Sequence, residues 1–411
     1  MATVDELKQQ TGENTASVDE RYYIYAEDYH LDAEGKINGR LENEDGLPLE
    51  KEKISSLKHR YVHSFFSNNS FRHIMVLTGA GTSRDSGGKT REGLWDSCKD
   101  AIDALTTHFE EDAPSFESDK DIEGLLSYAE KYSALRPKNT GLAQCISRLK
   151  ASIKSACMLK APEGCSLHAE FLRKLTARKA SLPRVEVYTL NYDTLFEQAA
   201  NESGMIVIDG FSFSLPRTFS GRNFDLDIVS RERLRLKGEE NFIQNVFHLI
   251  KLHGSVDWYR ENDKVVQSER CDGKEPVMIY PSSEKFEASY EQPYFEMMSR
   301  FHMALRKEET LLIILGFGFS DRHINNAIVE AVNQNPSFHL LIVDYGREEN
   351  GERFLDLTAY KEIFKQLGPK LSLVQGSFRE FVDALPLNAA YIVDSGNNPK
   401  ARGDANGSAS I

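Results

Sequence analysis

The sequence lacks the features of membrane-spanning, secreted and zinc-binding proteins. Its five cysteines include no Cys-x-x-Cys pair, so they provide neither a disulfide framework nor a structural zinc site. No apolar run approaches the roughly 20 residues that a membrane helix requires. The first ten residues, MATVDELKQQ, are polar and acidic, unlike a signal peptide. We therefore expect reduced thiols, no membrane association and a cytoplasmic location.

Basic residues are also fewer than acidic residues. The 411 residues include 50 Lys and Arg against 63 Asp and Glu, which gives a formal net charge of −13. Nucleic-acid and anionic membrane surfaces are bound mainly through Lys and Arg, so we expect no direct binding to either. The negative charge is unevenly distributed along the chain, because residues 1–50 hold 13 acidic and 4 basic residues, a net of −9. The rest of the chain is close to neutral.

Composition and the spacing of apolar residues divide the chain into three parts. They are an N-terminal extension (1–66), a main domain (67–385, with a helical insertion at about 96–178) and a C-terminal tail (386–411). The extension ends in a predicted helix over residues 49–66, since apolar residues recur there at 3–4 spacing. It is either a decoration that packs on the main domain or an arm for interaction. The tail is rich in Gly, Asn, Ala and Ser, which predicts partial disorder.

Five short apolar runs alternate with helical segments in the main domain, which indicates a parallel α/β sheet. The runs are residues 73–78, 185–190, 246–252, 310–315 and 339–343. Four of them end in glycine or polar residues: Gly79-Ala80-Gly81, Asn191-Tyr192-Asp193, His253-Gly254 and Gly316-Phe317-Gly318. Ligands of open α/β sheets bind beyond the carboxyl ends of the strands, so these motifs predict a shared binding site.

The loop after the first strand, residues 79–90, reads GAGTSRDSGGKT. Glycines in this place let the backbone approach a phosphate group. A dinucleotide fingerprint would require glycine in place of Arg84, and a Walker A loop would require glycine in place of Ser83. The loop therefore predicts a phosphate site of another type, with a plain tight turn as the alternative.

Taken together, the motifs resemble those of the sirtuin family. The segment GAGTSRDSG (79–87) resembles the family's first NAD-binding signature, and Gly93-Leu94-Trp95 its continuation. TLNYD (189–193) resembles the Thr-x-Asn-x-Asp motif, His253-Gly254 the His-Gly motif, and GFGFS (316–320) the Gly-Thr-Ser-type loop. The matches follow the family order across about residues 71–345. The resemblance implies a Rossmann-like parallel α/β sheet that binds NAD.

The sequence departs from sirtuin deacylases in two places. Only Cys271 lies where those enzymes carry a four-cysteine zinc module, and their Ile-Pro-x-Phe-Arg loop is replaced by GKTR (88–91). A missing zinc module with an acidic extension is similar to the bacterial antiphage branch of the family, whose members hydrolyse NAD. A stand-alone chain of this length resembles the partner of a HerA-type hexameric ATPase. The resemblance therefore implies an NAD glycohydrolase, without a metal, that works as a homo-oligomer with such an ATPase.

The resemblance also assigns roles to residues. Asn191 would hydrogen-bond the ribose and the attacking water, and His253 would be the general base. Asp193 would orient the site or hold Arg84 or Arg91, with helix capping as the alternative. Asp321 is interpreted as a helix-start residue. The residues expected to bind NAD are Gly79, Ala80, Gly81, Ser83, Arg84, Arg91, Gly316, Ser320 and Asp344.

Two other functions remain open at this point. The same NAD site would serve a protein deacylase or an ADP-ribosyltransferase. A catalytically idle module that senses a nucleotide and acts through assembly is the third hypothesis.

Overall fold

The structure is a computed structural model. It describes residues 23–25, 29–31, 37–40, 51–110, 113–164, 166–229, 242–268, 274, 276–279, 292–349, 352–354 and 371–388. The predicted disorder of the C-terminal tail falls almost entirely on residues 389–411, which lie outside the described residues.

The strands lie mainly in one large sheet and one smaller sheet. In chain order they are β1 (Tyr23–Tyr25), β2 (Tyr29–Leu31), β3 (Ile37–Arg40), β4 (His73–Thr78), β5 (Val185–Thr189), β6 (Ile206–Ile208), β7 (Arg217–Thr218), β8 (Val246–Lys251), β9 (Gly254–Glu261), β10 (Lys264–Gln267), β11 (Pro276–Met278), β12 (Thr310–Leu315), β13 (His339–Asp344), β14 (Arg347–Glu349), β15 (Glu352–Phe354) and β16 (Leu371–Gln375).

The helices surround the large sheet or form a separate cluster. In chain order they are α1 (Lys51–Asn68), α2 (Arg91–Ser97), α3 (Lys99–Thr106), α4 (Ile122–Ala134), α5 (Thr140–Cys157), α6 (Leu167–Thr176), α7 (Leu195–Glu202), α8 (Tyr294–Leu305), α9 (Arg322–Gln334) and α10 (Phe378–Ala384). Short 3-10 turns cover Ala80–Ser86 and Gly221–Asp225.

The large sheet is parallel throughout, with the strand order β1-β16-β13-β12-β4-β5-β8-β6. The five strands predicted from the sequence are its adjacent central strands, so the predicted α/β class is confirmed. The chain leaves β4 toward β5 and β8 and later returns to β12 on the other side. The chain order therefore reverses between β4 and β12, which is where an open α/β sheet forms a ligand crevice.

Helices pack on both faces of the large sheet. One face is covered by α8 and α9, whose apolar residues share a core with alternate residues of the strands, such as Leu77 and Ile314. The other face is covered by α1, α6, α7 and α10, which share a core with the residues in between, such as Val76 and Ile313. Burial on both faces explains why β12, TLLIIL, is apolar along its whole length.

The predicted helix of the N-terminal extension is α1, and its apolar side belongs to the second of these cores. Leu57 and Phe65 are buried there, and the hydroxyl of Tyr61 donates a 2.6 Å hydrogen bond to Ser372 Oγ of β16. The extension also supplies β1, which pairs with β16 at the sheet edge.

Helices α2 to α5 form a cluster with its own core, which includes Trp95, Ile102, Leu125 and Leu149. They lie within the predicted helical insertion, apart from the first residues of α2. Val256 of β9 belongs to the same core, so the cluster packs against the smaller antiparallel sheet, whose order is β11-β9-β10-β7. The insertion and the smaller sheet thus stand together beside the carboxyl ends of β4, β5 and β8.

Candidate functional site

The glycine loops that follow β4 and β12 are in direct backbone contact. Gly79 N donates to Leu315 O, and Gly81 N donates to Gly316 O, both at 3.0 Å. Gly316 adopts a φ of +59°, which favours glycine over other residues. A Cβ atom on Gly81 would lie 2.6 Å from Gly316 Cα. The glycines are therefore required by the close approach of the two loops at the point where the chain order reverses.

This close approach gives a stability prediction. Gly81→Ala is expected to lower the free energy of unfolding by about 1–3 kcal/mol, because the new methyl group meets backbone that has no room to move. Gly318→Ala is the matched control in the same loop region, since a Cβ there meets nothing within 4 Å. It should change stability by less than about 0.5 kcal/mol. Urea denaturation of both variants measures the difference, and equal losses would contradict the packing explanation.

Asn191 fixes the glycine loop from the end of β5. Its side-chain Nδ2 donates to Gly79 O at 2.9 Å, to Ser83 Oγ at 2.9 Å and to Thr82 Oγ1 at 3.2 Å. Its own backbone N donates to Thr189 Oγ1 at 3.1 Å. The side chain is half-buried and lines a cleft. The carboxamide therefore holds the loop in place at the wall of this cleft.

Asp193 contacts both the start of α7 and the glycine loop. One carboxylate oxygen accepts from Leu195 N of α7 at 3.1 Å, and the other accepts from the Ser83 hydroxyl at 2.7 Å. Asp193 and Ser83 are buried. One carboxylate thus links the glycine loop to the start of α7, where Thr194 is the N-cap.

A buried ion pair supports this loop from below. The ammonium of Lys251, at the end of β8, donates to the backbone carbonyl of Asp193 and lies 3.0 Å from Glu197 Oε1 of α7. Lys251 is only 1% exposed. Burial raises the pKa of Glu197 to about 7, although the nearby Lys251 lowers it. Lys251 thereby connects the strand that leads to His253 with the segment that carries Asn191.

His253 lies between the large parallel sheet and the smaller antiparallel sheet. The next residue, Gly254, has a φ of +82°, and a Cβ there would run into Val277 O of β11. This turn explains the glycine of the His-Gly pair. His253 Nε2 lies 3.3 Å from Asp321 Oδ2, and the two side chains are 14% and 8% exposed. The imidazole is therefore held at the cleft wall beside a carboxylate.

These side chains surround a cleft of about 260 Å³ at the carboxyl ends of the central strands. Its lining includes most of the residues predicted from the sequence: Gly79, Ala80, Ser83, Asn191, Asp193, His253, Gly316 and Ser320. They come from four loops that are distant along the chain. The sheet topology brings them to one place.

Four predicted residues do not line this cleft in the structure. Gly81 contacts the Gly316 backbone instead. The Arg84 guanidinium lies 5.2 Å from the centre of the Tyr345 ring, and Arg91 is exposed at the start of α2. Asp344 accepts a 2.9 Å hydrogen bond from Gly346 N. Arg84 and Asp344 both lie at the carboxyl end of β13.

The cleft also contains residues that the sequence analysis did not assign to it. Lys89 contributes a basic side chain, and Asp321 contributes a carboxylate. Leu94 enters from α2, and Glu123 and Cys157 enter from the helical insertion. Lys89 lies within the predicted glycine loop and Leu94 within the Gly93-Leu94-Trp95 motif, so their positions were usable signals, whereas Glu123 and Cys157 carry no motif. Burial raises the pKa of Cys157 to about 12, so this thiol remains protonated at neutral pH and is a poor nucleophile.

Within the described residues, no group of three or more His, Cys, Asp or Glu side chains is placed to hold a metal ion. Cys271 lies outside them. No helix in the described ranges is long and apolar enough to cross a membrane.

The arrangement has the parts that substitution at a sugar carbon requires. Ser83 and Asn191 line the cleft, and the acceptor oxygens of their side chains suit hydrogen bonds from the hydroxyl groups of a ribose. The imidazole of His253 also lines the cleft, where it can serve as a general base. Lys89 offers a positive charge to an anionic ligand.

Comparison with known proteins gives one family match and several weak structural similarities. Residues 185–363 match the model of the SIR2-like domain. A structure described as Sir2 bound to acetylated peptide is 15% identical, with a TM-score of 0.38 over 82% of this chain and 96% of that one. A Sir2 homologue variant in complex with ADP-ribose is 15% identical, with a TM-score of 0.37 over 77% and 91%. No curated protein matches the chain.

Proposed function

We propose that this protein binds NAD in the cleft and hydrolyses it to nicotinamide and ADP-ribose. The observation that carries the proposal is the meeting of Ser83, Asn191 and His253 at the carboxyl ends of adjacent parallel strands, beside a close-packed glycine loop. The SIR2-like match supports it, because residues 185–363 include Asn191, Asp193 and His253.

The reaction breaks the bond between ribose C1′ and the nicotinamide nitrogen. The pair of electrons leaves with nicotinamide, which departs neutral, and positive charge develops on the ribose as in glycoside cleavage. Water adds to C1′ and loses a proton to His253. Asn191 holds the ribose and this water, while the ammonium of Lys89 binds the phosphates. Asp193 keeps Ser83 in place for the ribose.

We further propose that the protein acts in bacterial antiphage defence, as a homo-oligomer in complex with a HerA-type ATPase. This proposal rests on the sequence resemblance. Uncontrolled NAD hydrolysis would harm the host cell, so the isolated chain is expected to have low activity. The acidic N-terminal extension is the candidate contact surface.

Product analysis tests the proposed reaction. The purified chain, alone and mixed with the ATPase, is incubated with NAD, and the products are separated by chromatography. Equal amounts of nicotinamide and free ADP-ribose are expected, with more of both when the ATPase is present. No cleavage under either condition would overturn the proposed activity. High turnover by the chain alone would contradict the proposed restraint.

A second cleft favours transfer to an acceptor as the alternative function. It measures about 330 Å³ and meets the first cleft at His253 and Asp321. Its walls include the apolar side chains of Tyr294, Phe295 and Met298. An acyl-lysine or another acceptor that entered here would reach the same imidazole. O-acyl-ADP-ribose, or protein that carries ADP-ribose, would then replace free ADP-ribose among the products.

A further inference from the structure

Asp321 stands at the junction of three features of the site. It follows the GFGFS loop, it is the N-cap of α9, and it lines both clefts. Its Oδ1 accepts from His323 N at 3.0 Å and from Ile324 N at 3.3 Å, which satisfies the first free amides of the helix. Its Oδ2 lies 3.3 Å from His253 Nε2. The two oxygens of the carboxylate therefore have different partners.

Capping alone does not require an aspartate here. Serine and asparagine cap helices about as well, because one side-chain oxygen is sufficient. Aspartate differs from serine and asparagine in having a second carboxylate oxygen, and in Asp321 this oxygen faces the His253 imidazole. With both side chains largely buried, the carboxylate is shielded from water and interacts more strongly with an N–H group than it would at the surface.

The backbone on either side holds Asp321 in this position. Phe319, two residues earlier, has a φ of +54°, an uncommon conformation for a bulky residue. Asn325 Nδ2 of α9 donates to Phe319 O at 2.7 Å, and the Phe317 and Phe319 rings lie 4.8 Å apart. The first turn of α9 and this aromatic pair thus fix the loop that presents the carboxylate.

We propose that Asp321 is a positioning residue for His253. Its carboxylate accepts a hydrogen bond from Nε2–H, which selects that tautomer and leaves Nδ1 as the nitrogen that accepts the proton. The same carboxylate stabilises the imidazolium that forms when the proton is taken up. The catalytic part of the inference rests on the proposed NAD hydrolysis, whereas the tautomer assignment stands without it.

Two substitutions separate positioning from capping. Asp321→Ser keeps a capping oxygen but removes the carboxylate, and Asp321→Asn keeps the shape but removes the charge. We expect kcat to fall on the order of 10²-fold in Asp321→Ser, which is the lower end of what a positioned general base contributes. A smaller fall is expected in Asp321→Asn, with KM and thermal stability close to wild type in both. Asn139→Ala is the control, because it removes an N-cap of α5 that accepts from Leu142 N and should leave kcat unchanged.

A spectroscopic measurement tests the contact without any assay of activity. Long-range ¹H–¹⁵N correlation spectra of histidine-labelled protein report which ring nitrogen carries the proton, and His253→Ala assigns the signal. The Nε2–H form is expected in the wild type, with a mixture of tautomers in Asp321→Ser. An Nδ1–H form in the wild type, or unchanged spectra and kcat in both variants, would overturn the proposal. Absence of NAD cleavage together with the expected spectra would instead refute only the proposed function.

Discussion

His253→Ala is expected to abolish NAD hydrolysis, with a loss of about 10²–10⁴-fold in turnover, the range that a positioned general base contributes. Stability should change little, because the imidazole lies at the cleft wall and its removal leaves water access to the space. His63→Ala is the matched control, since His63 is exposed on α1. Turnover is measured by nicotinamide release, and ADP-ribose affinity by calorimetry.

Asn191→Ala should differ from His253→Ala in a second measurement. Its turnover is expected to fall comparably, but ADP-ribose affinity and thermal stability should fall as well. The reason is that Asn191 Nδ2 donates to Gly79 O, Thr82 Oγ1 and Ser83 Oγ and so holds the glycine loop. If both variants still protected bacteria from phage as well as the wild type does, the idle sensing module would replace the enzyme as the favoured function.

Lys251→Met is expected to cause the largest loss of stability, about 3–5 kcal/mol, because it leaves the Glu197 carboxylate buried without its cationic partner. The loss should be larger at pH 8 than at pH 5. Burial already raises the pKa of folded Glu197 to about 7, above its value in the unfolded chain, so the folded state binds this proton more tightly. Stability from this group is therefore present at low pH and lost as the pH rises through that value. Without Lys251 the pKa of folded Glu197 rises further, because the ammonium group no longer favours the charged carboxylate. The difference between the stability losses at pH 5 and pH 8 therefore becomes larger.

Two further variants test whether the buried pair of Lys251 and Glu197 explains the loss of stability. Lys251→Met combined with Glu197→Gln should recover much of the lost stability, since no charge is then left buried. Lys307→Met removes the partner of Glu186 at 2.7 Å, but Lys307 is 40% exposed and Glu186 keeps a 2.6 Å hydrogen bond from the Tyr188 hydroxyl. It should therefore cost much less. Urea denaturation at both pH values measures these differences, and a loss for Lys251→Met that equals that for Lys307→Met would contradict the explanation.

The central part of the fold could be predicted because its signals are local. A strand buried on both faces is apolar along its length, as in β12, and a glycine at its end marks a tight turn. The strands β1, β6 and β16 of the large sheet were missed. β1 and β6 have three residues each, too few to show a pattern, and β16 lies after the last segment that was predicted as a strand. All three lie outside the five central strands.

The candidate site was predicted in its motifs but not in its contacts. Residue type and order along the chain pointed to Asn191, His253 and the glycine loop, because each follows a strand. The partner of His253 could not be found in this way, since Asp321 carries the ordinary signal of a helix start and lies far along the chain. The guanidinium groups of Arg84 and Arg91 do not line the cleft, whereas Lys89 does.

The sequence by itself determined the α/β class, the central strands and the loops at which chemistry is expected, since periodicity and glycine placement are properties of neighbouring residues. Only the tertiary structure decided which side chains meet. The reversal of strand order between β4 and β12 brings Gly81 against Gly316. The position of the N-terminus of α9 places Asp321 beside His253. These contacts depend on how distant elements pack against one another, which no local pattern records.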